Sequence, residues 1–129
     1  MAASLEEFSA LRVNVDEVMF MPSLDAPRDR PYPFVYFITI RNDSEQVVTI
    51  RGRKWVIRED CGENVVVEGE GVVGKFPRLA PGEEFSYNSY HVVKGDSVAD
   101  GAFLAETEGG GGIFARIPQF EMRVPYPGS

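Results

Sequence analysis

The sequence predicts an all-β protein: an antiparallel two-sheet sandwich of immunoglobulin or fibronectin type III-like character with seven to eight strands. Three observations point there. Apolar residues recur at every second position, as in Leu11, Val13 and Val15 or in Phe34, Tyr36, Ile38 and Ile40, which is the period of a strand with one buried face. Turn formers such as Asn42-Asp43-Ser44, Cys61-Gly62 and Pro81-Gly82 separate these stretches. No segment shows a convincing apolar stripe at helical spacing, and strands without helices leave sheet-on-sheet packing as the layer architecture.

Taken in order, residues 1–10 are weakly patterned and are expected to form one helical turn or to stay disordered. The alternation that begins at Leu11 predicts a first strand over 11–19. Pro22, Pro27, Pro31 and Pro33 then rule out a ladder or a helix across 22–33, so this is a long ordered loop: a recognition surface or a stiffened crossing between sheets. Pro33 to Asn42 is apolar on both parities and predicts a central strand. In the next strand Val48 and Ile50 have one parity and Trp55 and Ile57 the other, which requires a bulge near Gly52 if all four are to face the core.

Asp60 to Asn64 forms a hairpin turn, and the return strand from Val65 to Glu68 leads into the glycine segment. A strand from Glu84 to Val93 follows the Pro81-Gly82 turn. Residues 94–101 are polar and predict a loop, with strand six over 102–107. Gly109 to Gly112 predicts a mobile hairpin tip, because four glycines have much backbone freedom to lose on ordering. The last strand runs over 113–124 and is interrupted at Pro118.

The length of 129 residues fits a single domain over 1–129 with its own core. Thirteen basic against twenty acidic residues give a formal charge of -7, which repels phosphate backbones and argues against nucleic acid and anionic membranes as partners. No apolar run approaches the roughly 18 residues of a membrane span. No secretory or transit signal is visible, and the single Cys61 cannot form an internal disulfide, so the expected location is cytoplasmic.

Gly69-Glu70-Gly71-Val72-Val73-Gly74 has the spacing of a dinucleotide phosphate loop. That chemistry needs a helix after the glycines to present its N-terminal amides, and Pro77, Pro81 and Gly82 preclude one. The glycines are therefore expected to serve tight backbone geometry, with a helix-free nest of amides for an anion as the alternative. The candidate ligand residues are Gly69, Gly71, Gly74, Arg53 and Lys75.

Catalytic candidates are poor: His91 is the only histidine and lies within a strand pattern. One histidine and one cysteine cannot supply a zinc site. Asp60, Glu63, Glu68 and Glu70 are acids near the central hairpin, but spaced acids on strands are ordinarily solvated. No catalytic residue, metal or cofactor is expected, and the strip of Arg51, Arg53, Lys54 and Arg58 reads as a solvated strand face.

Arg53-Lys54-Trp55-Val56-Ile57, Val67 to Gly74, Pro77 to Tyr87, Pro33 to Asn42 and Ile117 to Met122 together resemble the ApaG domain family over nearly the whole chain. The resemblance implies a fibronectin type III-like sandwich and no established catalytic residues. It also implies a link to cobalt resistance and magnesium efflux in bacterial forms, and use as an interaction domain in eukaryotic ones. Two departures stand out: Tyr90 where the family has glycine, and Lys94-Gly95-Asp96-Ser97 in place of its Thr-Pro. The expected function is a non-enzymatic binding module with a protein partner and a link to cation homeostasis. The alternative is a binder of pyrophosphate or nucleotide polyphosphates, and homo-oligomerisation stays open.

Overall fold

The computed structural model describes residues 5–125, and none of them is helical. In chain order the strands are β1 (Glu6–Glu7), β2 (Leu11–Phe20), β3 (Tyr32–Asn42), β4 (Val48–Glu59), β5 (Asn64–Glu70), β6 (Arg78–Leu79), β7 (Glu84–Val93), β8 (Ser97–Thr107) and β9 (Gly112–Met122). The larger sheet has the order β1-β9-β8-β4-β5 with β6 beside β4; the smaller is β2-β3-β7. Every pairing is antiparallel except that of β1 with β9. The expected sandwich is thus present, with seven full-length strands and two of only two residues.

Alternation decides which side chains meet. On β3, Phe34, Tyr36, Ile38 and Ile40 all enter the core between the sheets, opposite Val48, Ile50, Trp55 and Ile57 of β4 and Phe103 of β8. The parity conflict on β4 is resolved as expected: Ile50 faces Ala105 and Gly52 faces Leu104, so Arg51 is the extra residue of a bulge. Pro118 and Gln119 form a second bulge, between the Ala99–Phe120 and Gly101–Ile117 pairs, where a proline without an amide hydrogen is tolerated.

Three expectations are corrected. Residues 94–101 are not all loop, because β8 begins at Ser97, where Ser97, Val98 and Ala99 find partners on both β4 and β9. Pairing on two sides outweighs their weak local preference. Glu6 and Glu7 form a short parallel strand rather than a helical turn, and Phe8 N donates to Phe114 O at 2.9 Å; residues 1–4 lie outside the described part. The Pro-rich loop joins neighbouring strands of one sheet and does not cross between sheets. Arg30 of this loop spans the gap, forming an ion pair with Glu59 and reaching Glu63 at 3.3 Å on the β4–β5 hairpin. The glycine run closes the β8–β9 hairpin, with Thr107 N donating to Gly111 O at 2.9 Å.

β5 ends the larger sheet and β7 ends the smaller one. Tyr36 and His91 pack on Trp55 of β4, and β2 lies against β9, so both terminal strands lie on the same side of the sandwich. That side holds the candidate site.

Candidate functional site

After the bulge, odd-numbered residues of β4 face inwards, which places Arg53 beside Trp55 rather than on the outer face with Lys54 and Arg58. Trp55 is 1% exposed and forms the floor. Around it Tyr36 lies at 4.9 Å, His91 at 4.6 Å and Phe120 at 5.8 Å between ring centroids. Tyr36 and His91 are themselves 4.6 Å apart. A cluster of this kind is held by apolar burial and by the edge-to-face preference of aromatic rings.

Its polar atoms are unusual. Trp55 Nε1, Tyr87 Oη and His91 Nε2 are buried and without a hydrogen-bond partner within the protein. Burial pushes the Tyr87 phenol up, and it raises that of Tyr36 against the opposing Ser89 hydroxyl and Arg53 charge. Burial lowers His91 to about 4. At neutral pH the imidazole is therefore uncharged, and among the described residues no carboxylate orients it as a general base would require.

Arg53 connects the cluster to the glycine segment. Its Nη1 donates to the carbonyls of Glu70 at 3.0 Å and Gly71 at 3.1 Å. Gly69 faces it across the ladder, and a Cβ there would stand 2.7 Å from Nη1, so the missing side chain makes room for the guanidinium. Gly71, at φ +65, has its α-carbon against the Lys75 carbonyl. Val72, fully buried, then opens a two-residue turn in which Val72 N donates to Lys75 O at 2.8 Å and Lys75 N to Val72 O at 2.9 Å. Val73 at φ +45 and Gly74 at φ +77 make it a type I′ turn.

The candidate ligand residues thus separate into two groups. Arg53, Gly69 and Gly71 come together and engage one another, whereas Gly74 and Lys75 sit at the exposed turn. Val73 is the residue sequence reading missed. A β-branched side chain at positive φ is a genuine outlier that costs about 1–3 kcal/mol, and only the pairing of Val72 with Lys75 reveals it.

The acids do not gather as a set. Glu68 pairs with Lys54 at 3.6 Å, and Glu63 pairs with Lys94 at 2.9 Å. The Lys94 hydrogen bond and charge hold the Glu63 carboxyl below its ordinary value. Glu59, Cys61 and Glu63 do place their ligand atoms within 4.8 Å of one another, but Arg30 already neutralises Glu59 and the Cys61 thiol donates to the same carboxylate at 3.6 Å. The departures from the family pattern have structural uses: Tyr90 Oη donates to Asp25 O at 3.2 Å on the Pro-rich loop, and the Asp96 carboxylate accepts from Val124 N at 2.7 Å.

The ApaG domain model matches residues 22–106. The chain is 37% identical over 108 residues to the protein ApaG of Salmonella arizonae, covering 83% of this chain and 86% of that one. Among solved structures it is similar to a structural genomics target known by X-ray, with a TM-score of 0.81 at 30% identity over 92% of this chain and 89% of that one. It is also similar to an ApaA protein from Bordetella pertussis, with a TM-score of 0.80 at 28% identity over 95% of this chain and 98% of that one. Both the matched stretch and the shared strand arrangement run through Arg53, Trp55, the glycine turn and Tyr87, and on that ground the chain belongs to the ApaG domain family.

Proposed function

We propose that the chain is a non-enzymatic protein-binding module whose partner adds an extended segment to the open edge of β5. The observation that carries the reading is the state of that edge. Glu59 N donates to Glu63 O and Gly71 N to Arg51 O, so the odd-numbered residues between them direct their backbone groups to β4. Val66 and Glu68 therefore direct theirs to the unpaired side, and Val66 is 54% exposed. The edge has neither the proline nor the lysine that commonly protects one, and an uncovered edge is the template for strand addition.

The absence of a histidine oriented for base catalysis supports the non-enzymatic part. The link to cobalt and magnesium that family membership brings would then run through the partner, since Glu59 and Glu63 are already paired with Arg30 and Lys94. The reading assigns the module to the cytoplasm, where an exposed Cys61 thiol stays reduced.

Val66→Pro tests the edge, because it removes an amide hydrogen that no strand among the described residues uses. Captures from cell extract by immobilised wild-type and variant protein are compared by quantitative mass spectrometry. A specific partner retained by wild type and reduced about tenfold or more by the variant is expected. Equal capture by both, or nucleotide turnover by purified protein without any partner, would defeat the reading.

A second reading is a pyrophosphate or nucleotide-polyphosphate site. It draws support from Lys75 and from the amides of Val73 and Gly74, which stand outside the backbone hydrogen bonds of the turn. Calorimetric titration with pyrophosphate and ATP decides it; absence of heat removes it.

A further inference from the structure

We infer that two copies of this chain associate through the glycine turn, the tip of each copy seating in a depression on the outer face of the other's larger sheet. The inference is independent of the edge-strand reading, because it uses the turn after β5 and the outer face rather than the unpaired amides.

The first observation is Val73. It occupies a left-handed backbone position at φ +45 that asparagine or glycine fills without strain, and it leaves the apolar side chain 47% exposed. A strained residue persists where its side chain has a use, and no core contact needs this one. Phe76, 48% exposed, stands in the same turn, with Arg51 at 6.0 Å from its ring. Together they make the exposed apolar tip of the turn that buried Val72 opens.

The second observation is a surface of matching chemistry. Leu5 and Leu104 line an open depression of about 560 Å3 together with Arg53, Gly69, Glu70 and the ion pair of Lys54 with Glu68. Both leucines are exposed, at 49% and 36%. Among the described residues nothing covers these two leucines or the exposed tip.

Charge selects between a second copy and an unrelated protein. Glu68 already has Lys54, and Arg51 has Glu106, whereas exposed Lys75 and exposed Glu70 stand outside the ion pairs of the described residues. One unpaired cation sits on the tip and one unpaired carboxylate on the rim of the depression. An exchange in which each copy gives a tip and receives one satisfies both charges twice and closes as a two-fold dimer. The footprint is small and each copy carries a charge of -7, so the dimer is weak, with a Kd on the order of 100 µM.

Sedimentation equilibrium of the full chain between about 5 µM and 1 mM, at a salt concentration that screens net repulsion, tests this. Wild type is expected to move from the 14.3 kDa monomer towards twice that mass. Val73→Asn, which suits the backbone and removes the apolar branch, weakens association about tenfold or more while its melting temperature at the lowest concentration does not fall. Lys75→Glu and Glu70→Lys each weaken it, and the two together restore it, a recovery that a misfolded variant could not give. A wild type that stays monomeric throughout overturns the inference. So does association that survives Val73→Asn, a double charge swap without recovery, or masses that grow beyond the dimer.

Discussion

The two turns that bracket β5 are made on opposite principles. At the Asp60–Glu63 turn the left-handed position goes to Gly62 at φ +94, which has open space around its α-carbon, and the surrounding acids are matched by Arg30 and Lys94. At the Val72–Lys75 turn a left-handed position goes to Val73, which is strained and exposed. In the first turn local chemistry and geometry agree, so its side chains serve the fold. In the second they conflict, and such conflict is where a side chain is kept for what it does outside the fold.

The comparison breaks most severely if Arg30 is removed. The Glu59 side chain is 1% exposed, and Arg30 is its neutralising partner across the gap between the sheets. Arg30→Ala leaves a buried carboxylate without compensation, and stability should fall by about 3–5 kcal/mol. Chemical denaturation measures this, and combination with Glu59→Gln should return much of the loss because the stranded charge is gone. If Arg30→Ala proves as mild as an ordinary surface change, the first turn does not depend on its ion pair.

Both turns hang from β4, so acid tests the support they share. Burial against Tyr36 and Trp55 lowers His91 from its ordinary 6.5 to about 4. The folded-state value is below the unfolded one, so between these values the unfolded chain holds the extra proton. The contribution is fully present above about pH 6.5 and is lost as pH falls towards 4, a change of about 3 kcal/mol. Exposed Glu63 and Glu121, both lowered by cationic neighbours, slope the same way but are screened by solvent. Denaturation curves at pH 7 and pH 4.5 for wild type and His91→Phe separate the parts: the variant should lose most of the slope, and an unchanged slope would exclude the histidine.

How much of this could be read without coordinates follows from the range over which each feature is determined. The bulge at Arg51 was legible because a parity conflict between Ile50 and Trp55 is a local contradiction with one local remedy. The absence of a helix after Gly74 was legible from two prolines. The start of β8 at Ser97 was not, since a polar, glycine-containing stretch is held as strand only by partners supplied from β4 and β9. Arg53 read as a solvated cation for a related reason: its inward orientation depends on the bulge that precedes it, which shifts every later residue of β4 to the other face. Trp55 was visible as a core residue, but that its indole nitrogen and the polar atoms of Tyr87 and His91 would be buried unpaired depends on a meeting of strands distant in sequence.

The smallest effect bears most directly on the contrast between the turns, because it is a contrast of sign. Gly62→Ala places a Cβ into open space, so sterics contribute nothing and only the left-handed backbone opposes it; the loss should be about 1 kcal/mol. Val73→Asn moves the other way, because asparagine tolerates that backbone region and the β-branched strain is relieved, for a gain of about 1 kcal/mol. Urea denaturation of dilute protein resolves both if the midpoints are compared at equal slope. A loss at both positions would mean that Val73 contributes packing within its own fold that outweighs its strain, and the distinction between a turn built for the fold and a turn built for a second molecule would then fail.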